Sequence, residues 1–351
     1  MKIAVLLSGG VDSSVALRLL KEEGHDITAY YLKIWLEDEL SFLGECPWEE
    51  DLRFARGVCE QAGVPLKVLS LQREYWDTIV AYSIRELKAG RTPNSDMFCN
   101  RLIKFGKFFD KIDEHYDKVA SGHYAHIEQK NGLFWLKRTP DPVKDQTYFL
   151  AYMRQGQLAR ALFPLGPYTK KQVRDLAQQF DLPNKDRKDS QGICFLGQIK
   201  YRDFVEHHLG ENPGDFVDVD SQRVIGRHRG YWFYTIGQRQ GLGLSDGPWY
   251  VVRKDIENNI IYISKKRLVE NKLRNEFEVE NFNWISIKPD SPANLQVKLR
   301  HGPDYYNCEL QLLQENRGKV ILDRPDQGIA PGQFAVFYDG DTCLGGAIIS
   351  K

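Results

Sequence analysis

The stretch IAVLLSGGVDSS, Ile3 to Ser14, decides the fold. Ile3 to Leu7 is a short apolar run, the signature of a strand buried on both faces. From Val11 onward the pairs Val15/Leu19 and Ala16/Leu20 stand at the i, i+4 spacing of a helix, and Gly24 ends it. Between strand and helix lies Ser8-Gly9-Gly10-Val11-Asp12-Ser13-Ser14. Glycines let backbone approach an anion, the free N–H groups and dipole of a helix start attract one, and the serines add hydroxyls. The loop therefore reads as a phosphate cradle. It has no lysine, so it is not the GxxxxGK[ST] loop of other nucleotide hydrolases. Asp12 is out of place beside phosphates unless it positions Mg²⁺ or caps the helix. A side chain at Gly10 is expected to intrude on the phosphate path.

Working outward, Ile27 to Leu32 reads as a second strand, Glu49 to Ala62 as a helix closed by Gly63, and Leu66 to Leu69 as a third strand. Val119 to Ser121 follows a helix expected to start near Arg101. This βαβα order implies a parallel, doubly wound α/β sheet with ligands at the carboxyl ends of its strands. TKKQVRDLAQQF, Thr169 to Phe180, reads as a helix with Thr169 as its N-cap. Past about residue 200 aromatics and glycine become frequent, as in GYWFYTIGQRQGLGL, Gly230 to Leu244. From about residue 275 short alternating segments, LQVKLR, YNCELQLL, KVILD and QFAVFYDGDTCLGGAII, with a turn at Asp339-Gly340, predict a small β-barrel or sandwich. The expected division is a catalytic domain over 1–200, a central domain over 201–273 and a C-terminal β-barrel domain over 274–351.

The 351 residues carry 48 basic and 48 acidic side chains. A neutral chain is not a general polycation, so RNA binding needs a local basic face. The first apolar run is too short for a signal peptide, and no stretch approaches the roughly 20 apolar residues of a membrane span. A cytoplasmic location is the expectation. Six cysteines do not make a disulfide scaffold, and without a CxxC pair no structural metal site is expected. Cys59, Cys308 and Cys343 read as small buried hydrophobes, and Cys46 as a loop thiol. Cys99 in GRTPNSDMFCNRLIK and Cys194 in KDSQGICFLG stand among polar residues and glycine, in what read as mobile loops.

The loop resembles that of ATP-splitting adenylating enzymes, which release pyrophosphate and leave AMP on their substrate. Taken with NSDMFCN, ASGHYA (Ala120 to Ala125), KDQTYFL (Lys144 to Leu150), FPLGPYTKKQVRDLA (Phe163 to Ala177), DSQGICF (Asp189 to Phe195) and YTIGQRQGLG (Tyr234 to Gly243), the chain resembles the tRNA-specific 2-thiouridylases, the MnmA family, nearly end to end. The resemblance implies an adenine-nucleotide-hydrolase-like catalytic domain that uses ATP with Mg²⁺. Implied ATP contacts are Leu6, Leu7, Ser8, Gly9, Gly10, Val11, Asp12 and Ser13, with Leu32 and Gly122. Cys194 matches the cysteine loaded as a persulfide by a sulfur-relay protein or cysteine desulfurase, and Cys99 matches its catalytic partner, with a disulfide between them as one outcome. Asn94, Ser95 and Asp96 lie where the family holds the target base, and Asp96 is a candidate for proton transfer. Lys144, Asp145, Gln146, His123, Gln333, Arg300 and His301 match tRNA contacts.

Three departures bear on RNA affinity more than on chemistry: Ser95 in place of a proline, His126 in place of an arginine, and Arg300-His301-Gly302 in place of Arg-Tyr-Arg. The barrel and Lys144, Arg300 and His301 are expected to bind tRNA and not ATP, so removing residues from about 275 onward is expected to spare ATP binding. An amide-forming ligase, a 4-thiouridine-type sulfurtransferase and a non-catalytic RNA-binding protein are the competing readings. The first needs an ammonia source, the second a separate RNA-binding domain before the ATP domain, and the third leaves the loop and both cysteines unexplained.

Overall fold

A computed structural model describes residues 1–34, 48–112, 115–189, 201–265, 274–326 and 328–350. Its first sheet is parallel throughout, in the order β3-β2-β1-β4-β7. The strands are β1 (Lys2–Leu6), β2 (Asp26–Lys33), β3 (Leu66–Ser70), β4 (Lys118–Ser121) and the two-residue β7 (Ala161–Leu162). Ile3 and Val5 of β1 point to one face and Ala4 and Leu6 to the other, and all four are buried. The first face packs on helix α2 (Trp48–Ala62) through Leu52, Ala55, Val58 and Cys59. The period-two burial of β1 on both faces is what a central parallel strand requires. Helix α1 (Val11–Glu22) returns from β1 and packs through Val15 and Ala16 on Val173 and Ala177 of α4 (Lys170–Gln179). Thr169 caps α4 as read from the sequence: its hydroxyl accepts from Gln172 N, and Gln172 Oε1 accepts from Thr169 N.

Strand order reverses between β1 and β4, both of which pair with their neighbours in parallel. The crevice outside that switch point is where such sheets bind ligands. Between β3 and β4 the chain is helical over Gln72–Tyr75, Trp76–Val80 and α3 (Ala81–Lys88). Two sequence expectations are corrected here. The helix placed near Arg101 begins at Ser95, and the segment around Cys99 is not a polar loop: Ser95–Phe98 and Cys99–Lys107 are helical, with a kink at Phe105. Met97, Cys99 and Ile103 are buried in the core, while Asn94 and Asp96 are half-buried.

The central unit opens with helix α5 (Tyr201–Leu209) and a four-stranded sheet, β10 (Tyr250–Asp255), β11 (Ile260–Ser264), β8 (Gly214–Asp218) and β9 (Val224–His228), in that order. Phe216, Tyr231, Tyr234, Trp249 and Val251 form its core. The last unit is a closed six-stranded antiparallel barrel, in the order β12 (Arg274–Trp284), β15 (Arg317–Asp326), β14 (Tyr306–Leu312), β13 (Ala293–Lys298), β16 (Phe334–Asp339) and β17 (Thr342–Ile349), with β12 pairing back to β17. Closure removes the sheet's free edges. A hairpin absent from the sequence reading, β5 (His126–Lys130) and β6 (Leu133–Lys137), leaves the catalytic domain and pairs with β17 at Lys137↔Thr342 and Leu136↔Cys343.

The barrel is not a detachable module. Phe334, Val336, Tyr338 and Cys343 belong to the same core cluster as Tyr148, Tyr152, Met97 and Cys99 of the catalytic domain. Tyr148 donates to Phe334 O at 3.3 Å across the junction. Removing the chain from about 275 onward strips that core and exposes the buried Met97, Cys99, Tyr148 and Tyr152 of the catalytic domain.

Candidate active site

The Ser8–Ser14 loop, the candidate phosphate cradle, bridges the carboxyl end of β1 and α1. Gly10 is the N-cap of α1, and no side chain caps the helix, which leaves N–H groups of its first turn for an anion. Ser13 and Ser14 are turned inward: each hydroxyl donates to Gly10 O, at 3.0 and 2.9 Å. They brace the loop, whereas Ser8 is exposed and accepts from Gly10 N. Gly9, at φ +76°, is the glycine that the backbone demands. A Cβ there would sit 2.2 Å from Asp51 O, while one at Gly10, with φ −79°, would meet only Ser8 Oγ at 3.4 Å. A side chain at Gly9 therefore clashes within the protein itself, whereas one at Gly10 meets no protein atom but Ser8 Oγ. Across the crevice, Gly122 follows β4, and a Cβ on it would lie 2.7 Å from Ser13 N. Leu6 and Leu7 are buried beneath the loop, Val11 is buried at the helix start, and Leu32 is half-buried near the end of β2.

Behind the loop, Asn184 Nδ2 donates to Gly9 O at 2.7 Å and to Ser14 Oγ at 2.9 Å. Arg187 donates to Gly9 O at 3.2 Å and also pairs with Asp51. Burial raises the Asp51 carboxyl above its usual range in spite of that partner.

Asp12 neither caps the helix nor stands free. Its Oδ1 accepts from Tyr124 Oη at 2.9 Å and from Lys170 Nζ at 2.7 Å. Lys170 also pairs with Asp189 at 2.8 Å, and Asp189 pairs with Lys144 at 2.7 Å and with Arg174. Burial works against the Asp189 carboxylate, but the bonds from Lys144 and Lys170 outweigh it and hold the carboxyl well below its usual range. The loop that lacks its own lysine thus has three cations within one ion network, on α4 and on the segment after β6. Among the described residues no group of three or more His, Cys, Asp or Glu converges to hold a metal. With Asp12 committed to Lys170 and Tyr124, these residues do not fit a protein-held Mg²⁺ site.

Asn94 is the N-cap of the Ser95–Phe98 helix: its side chain accepts from Met97 N at 3.3 Å and donates to Tyr148 Oη at 3.4 Å. Ser95 is 8% exposed and Cys99 1%. Asp96 is half-buried on the same turn. Cys194 and Cys46 lie outside the described residues. Cys59, Cys308 and Cys343 are buried, and burial pushes their thiols up to about 11, 12 and 12. All three are core residues, as the sequence reading had them.

The exit of β4 joins the loop to the helix of Cys99. Gly122 packs on Ser13, and the next residue, His123, sets its ring against Phe105 of that helix and against Phe163. Its Nδ1 shares a hydrogen bond with Ser121 Oγ at 2.7 Å, and burial holds the imidazole neutral well below its ordinary range. Asn100 Nδ2 donates to Phe149 O at 3.2 Å, and Gln146 Oε1 accepts from Tyr124 N at 2.9 Å.

The positions matched to tRNA contacts separate in space. Lys144 belongs to the ion network beside the Ser8–Ser14 loop, apart from Arg300 and His301. Asp145 is 1% exposed, accepts from Thr147 and Tyr305, and lies 3.6 Å from the fully buried Lys298 Nζ. It is an interior ion pair between catalytic domain and barrel. Arg300 donates two bonds to Asp326, which also accepts from Tyr306. His301 stacks on Phe149 at 4.8 Å, and burial lowers its imidazole. Gln333 is half-buried in the turn whose Pro331 O accepts from Thr92 N at 2.8 Å. Thr92, in turn, lies at hydrogen-bond distance from Thr235 of the central unit. All three units therefore meet beside Asn94. Sequence reading missed Lys170, Tyr124, Asn184 and Arg187 as parts of the site; Tyr124 lies within ASGHYA and Lys170 within FPLGPYTKKQVRDLA, while Asn184 and Arg187 lie in none of the quoted motifs.

Residues 1–198 match the family described as tRNA methyl transferase HUP domain, 202–265 the tRNA methyl transferase PRC-barrel domain, and 274–349 the Aminomethyltransferase beta-barrel domain. The chain is 44% identical over 355 residues to tRNA-specific 2-thiouridylase MnmA of Parabacteroides distasonis, covering 99% of each chain. It is 43% identical to MnmA 1 of Bacteroides thetaiotaomicron, over 100% of both chains. It is 46% identical to MnmA 2 of Bacteroides fragilis, over 98% of this chain and 99% of that one. Identity of this extent, running through the switch-point loop and all three units, makes the chain a member of the tRNA-specific 2-thiouridylase family.

Proposed function

We propose that this protein uses ATP to activate the wobble uridine of tRNA and replaces its O2 with sulfur. The observation that carries the reading is the joint at β4, where Gly122 abuts the phosphate loop and His123 abuts the helix of Cys99. A nucleotide on that loop and a base held near Asn94, Ser95 and Asp96 would share one crevice. ATP contacts are assigned to Leu6 through Ser13, Leu32 and Gly122. Mg²⁺ is assigned to the nucleotide's own phosphates. The domain division at 200 and 273 follows the same reading.

A uracil carbonyl oxygen is a poor leaving group. In the proposed reaction O2 attacks the α-phosphate, pyrophosphate departs, and AMP is left on O2. The target nucleotide must leave its stack to reach the α-phosphate. The outer sulfur of a Cys194 persulfide then attacks C2, and AMP leaves with O2. The Cys99 thiolate attacks the Cys194 sulfur, the thiocarbonyl is released, and a Cys99–Cys194 disulfide remains for an external thiol to reduce. In the second route Cys99 attacks first and liberates hydrosulfide, which attacks C2. A persulfide relay protein or cysteine desulfurase is the sulfur source in both.

The test combines tRNA, ATP and a persulfide donor, with pyrophosphate release and nucleoside mass spectrometry as readouts. Pyrophosphate release that depends on tRNA, with 2-thiouridine formed, is expected. Release without any thiolated nucleoside would favour an amide-forming or other adenylating reaction, and a 4-thiouridine product would redirect the reading to that class of sulfurtransferase.

A further inference from the structure

The aromatic segment Gly230 to Leu244 plays no part in the reaction above, yet it faces the segment assigned to the target base. Between the catalytic domain and the central unit lies a cavity of about 160 Å³, lined by Pro93, Ser95, Tyr201, Trp232, Phe233 and Thr235, among others. One wall is the Thr92–Ser95 stretch and the other is aromatic. Tyr231 Oη donates to Lys88 O at 2.7 Å across the junction, and Trp232 Nε1 donates to Gly210 O at 3.2 Å within the central unit, which fixes the aromatic wall. Trp232 and Phe233 are half-buried and Tyr201 is 37% exposed, so ring surface remains uncovered by protein.

One cation flanks the aromatic wall. The Arg202 guanidinium lies 5.7 Å from the Phe233 ring centroid, is exposed, and forms no ion pair among the described residues. An aromatic-walled cavity with an exposed guanidinium beside one of its rings has the chemistry of a nucleobase site: rings stack on the base and the cation meets the backbone phosphate.

We propose that this cavity takes the nucleobase of a tRNA residue adjacent to the target uridine, stacked on Trp232 and Phe233. The inference rests on the proposed function, because Ser95 then serves the target base on one side and lines this slot on the other. Splaying the neighbour into its own slot separates it from the target, which must be unstacked to reach the phosphate loop.

The test is a coupling cycle on the full chain with anticodon stem-loop RNAs, read by fluorescence anisotropy at fixed salt. One RNA is intact, one is abasic 5′ of the target, and one is abasic 3′ of it. Trp232→Ala is expected to weaken the intact RNA by on the order of tenfold. The same substitution is expected to change little for the RNA lacking the stacked neighbour. Trp232→Phe, which keeps an aromatic face but loses part of the stacking surface and the bond to Gly210, should bind more tightly than Trp232→Ala. ATP binding to Trp232→Ala serves as the folding control. An equal loss with all three RNAs, or no loss with any, overturns the inference, as does a folded Phe233→Leu variant that shows no coupling when Trp232→Ala is unfolded. A wild-type protein that binds and thiolates the stem-loop without such coupling leaves the proposed function standing and removes this inference alone. A wild-type protein that neither binds nor thiolates it removes both.

Discussion

Gly9→Ala should damage ATP binding far more than Gly10→Ala, although both remove a glycine from the same loop. At Gly9 the backbone sits at φ +76°, where an L side chain costs about 1–2 kcal/mol. The new Cβ would also fall 2.2 Å from Asp51 O, a backbone atom that cannot rotate away. Relief requires the loop to lift off the start of α2, and the Gly9 carbonyl then loses at least one of its bonds from Asn184 and Arg187. Such a bond contributes about 1 kcal/mol. The sum, about 2–3 kcal/mol, corresponds to a loss of roughly 30- to 150-fold in ATP affinity if the lifted loop no longer presents its N–H groups. Gly10 has an ordinary φ and a Cβ there meets only Ser8 Oγ at 3.4 Å within the protein, so Gly10→Ala should stay within about fivefold of wild type, the difference between glycine and alanine as an N-cap. Calorimetric titration with ATP, alongside thermal melts of both variants, makes the comparison. Equal affinities for the two variants, or the reverse order, would refute the assignment of the strained contact.

Lys170→Met leaves Asp12 with only Tyr124, and removal of a charged hydrogen bond of about 1.5–3 kcal/mol should raise the KM for ATP at least tenfold in a pyrophosphate-release assay; an unchanged KM would show that the network does not hold the loop. Asp145→Ala should cost about 3–5 kcal/mol in urea unfolding, because it strands the buried Lys298, whereas a variant of normal stability with weak tRNA binding would restore Asp145 as an RNA contact. Burial lowers the Lys254 ammonium to about 8, so below that pH both folded and unfolded chains are protonated and the burial cost is borne in full. Between about pH 8 and 10.4 the unfolded chain holds more protons, and stability should rise by up to about 3 kcal/mol; Lys254→Met should lack that rise in unfolding curves across this range. Cys194→Ser and Cys99→Ser should each abolish 2-thiouridine while tRNA-dependent pyrophosphate release persists, and nucleoside mass spectrometry showing substantial product with either variant would remove that cysteine from the reaction.

The parallel sheet, the phosphate loop, the cap at Thr169 and the C-terminal strands follow from local pattern alone. Each is announced by residues within one or two turns or by a pattern along one strand. The segment around Cys99 did not read correctly because its polar residues mark a helix rim, and only the core beneath shows which face is buried. The cations of the phosphate loop were equally hidden. Lys170 reaches Asp12 across 158 positions, and nothing near either residue in sequence announces the pairing. Arg300 and Lys144 looked alike as basic residues matched to RNA contacts, yet one is bound to Asp326 in the barrel and the other to Asp189 beside the nucleotide loop. Sequence determined which chemistry the chain carries and most of the elements that hold it. Tertiary structure decided which charges are already neutralised and where three units meet around Asn94, because long-range ion pairs and shared cores are set by packing and leave no periodic trace in the chain.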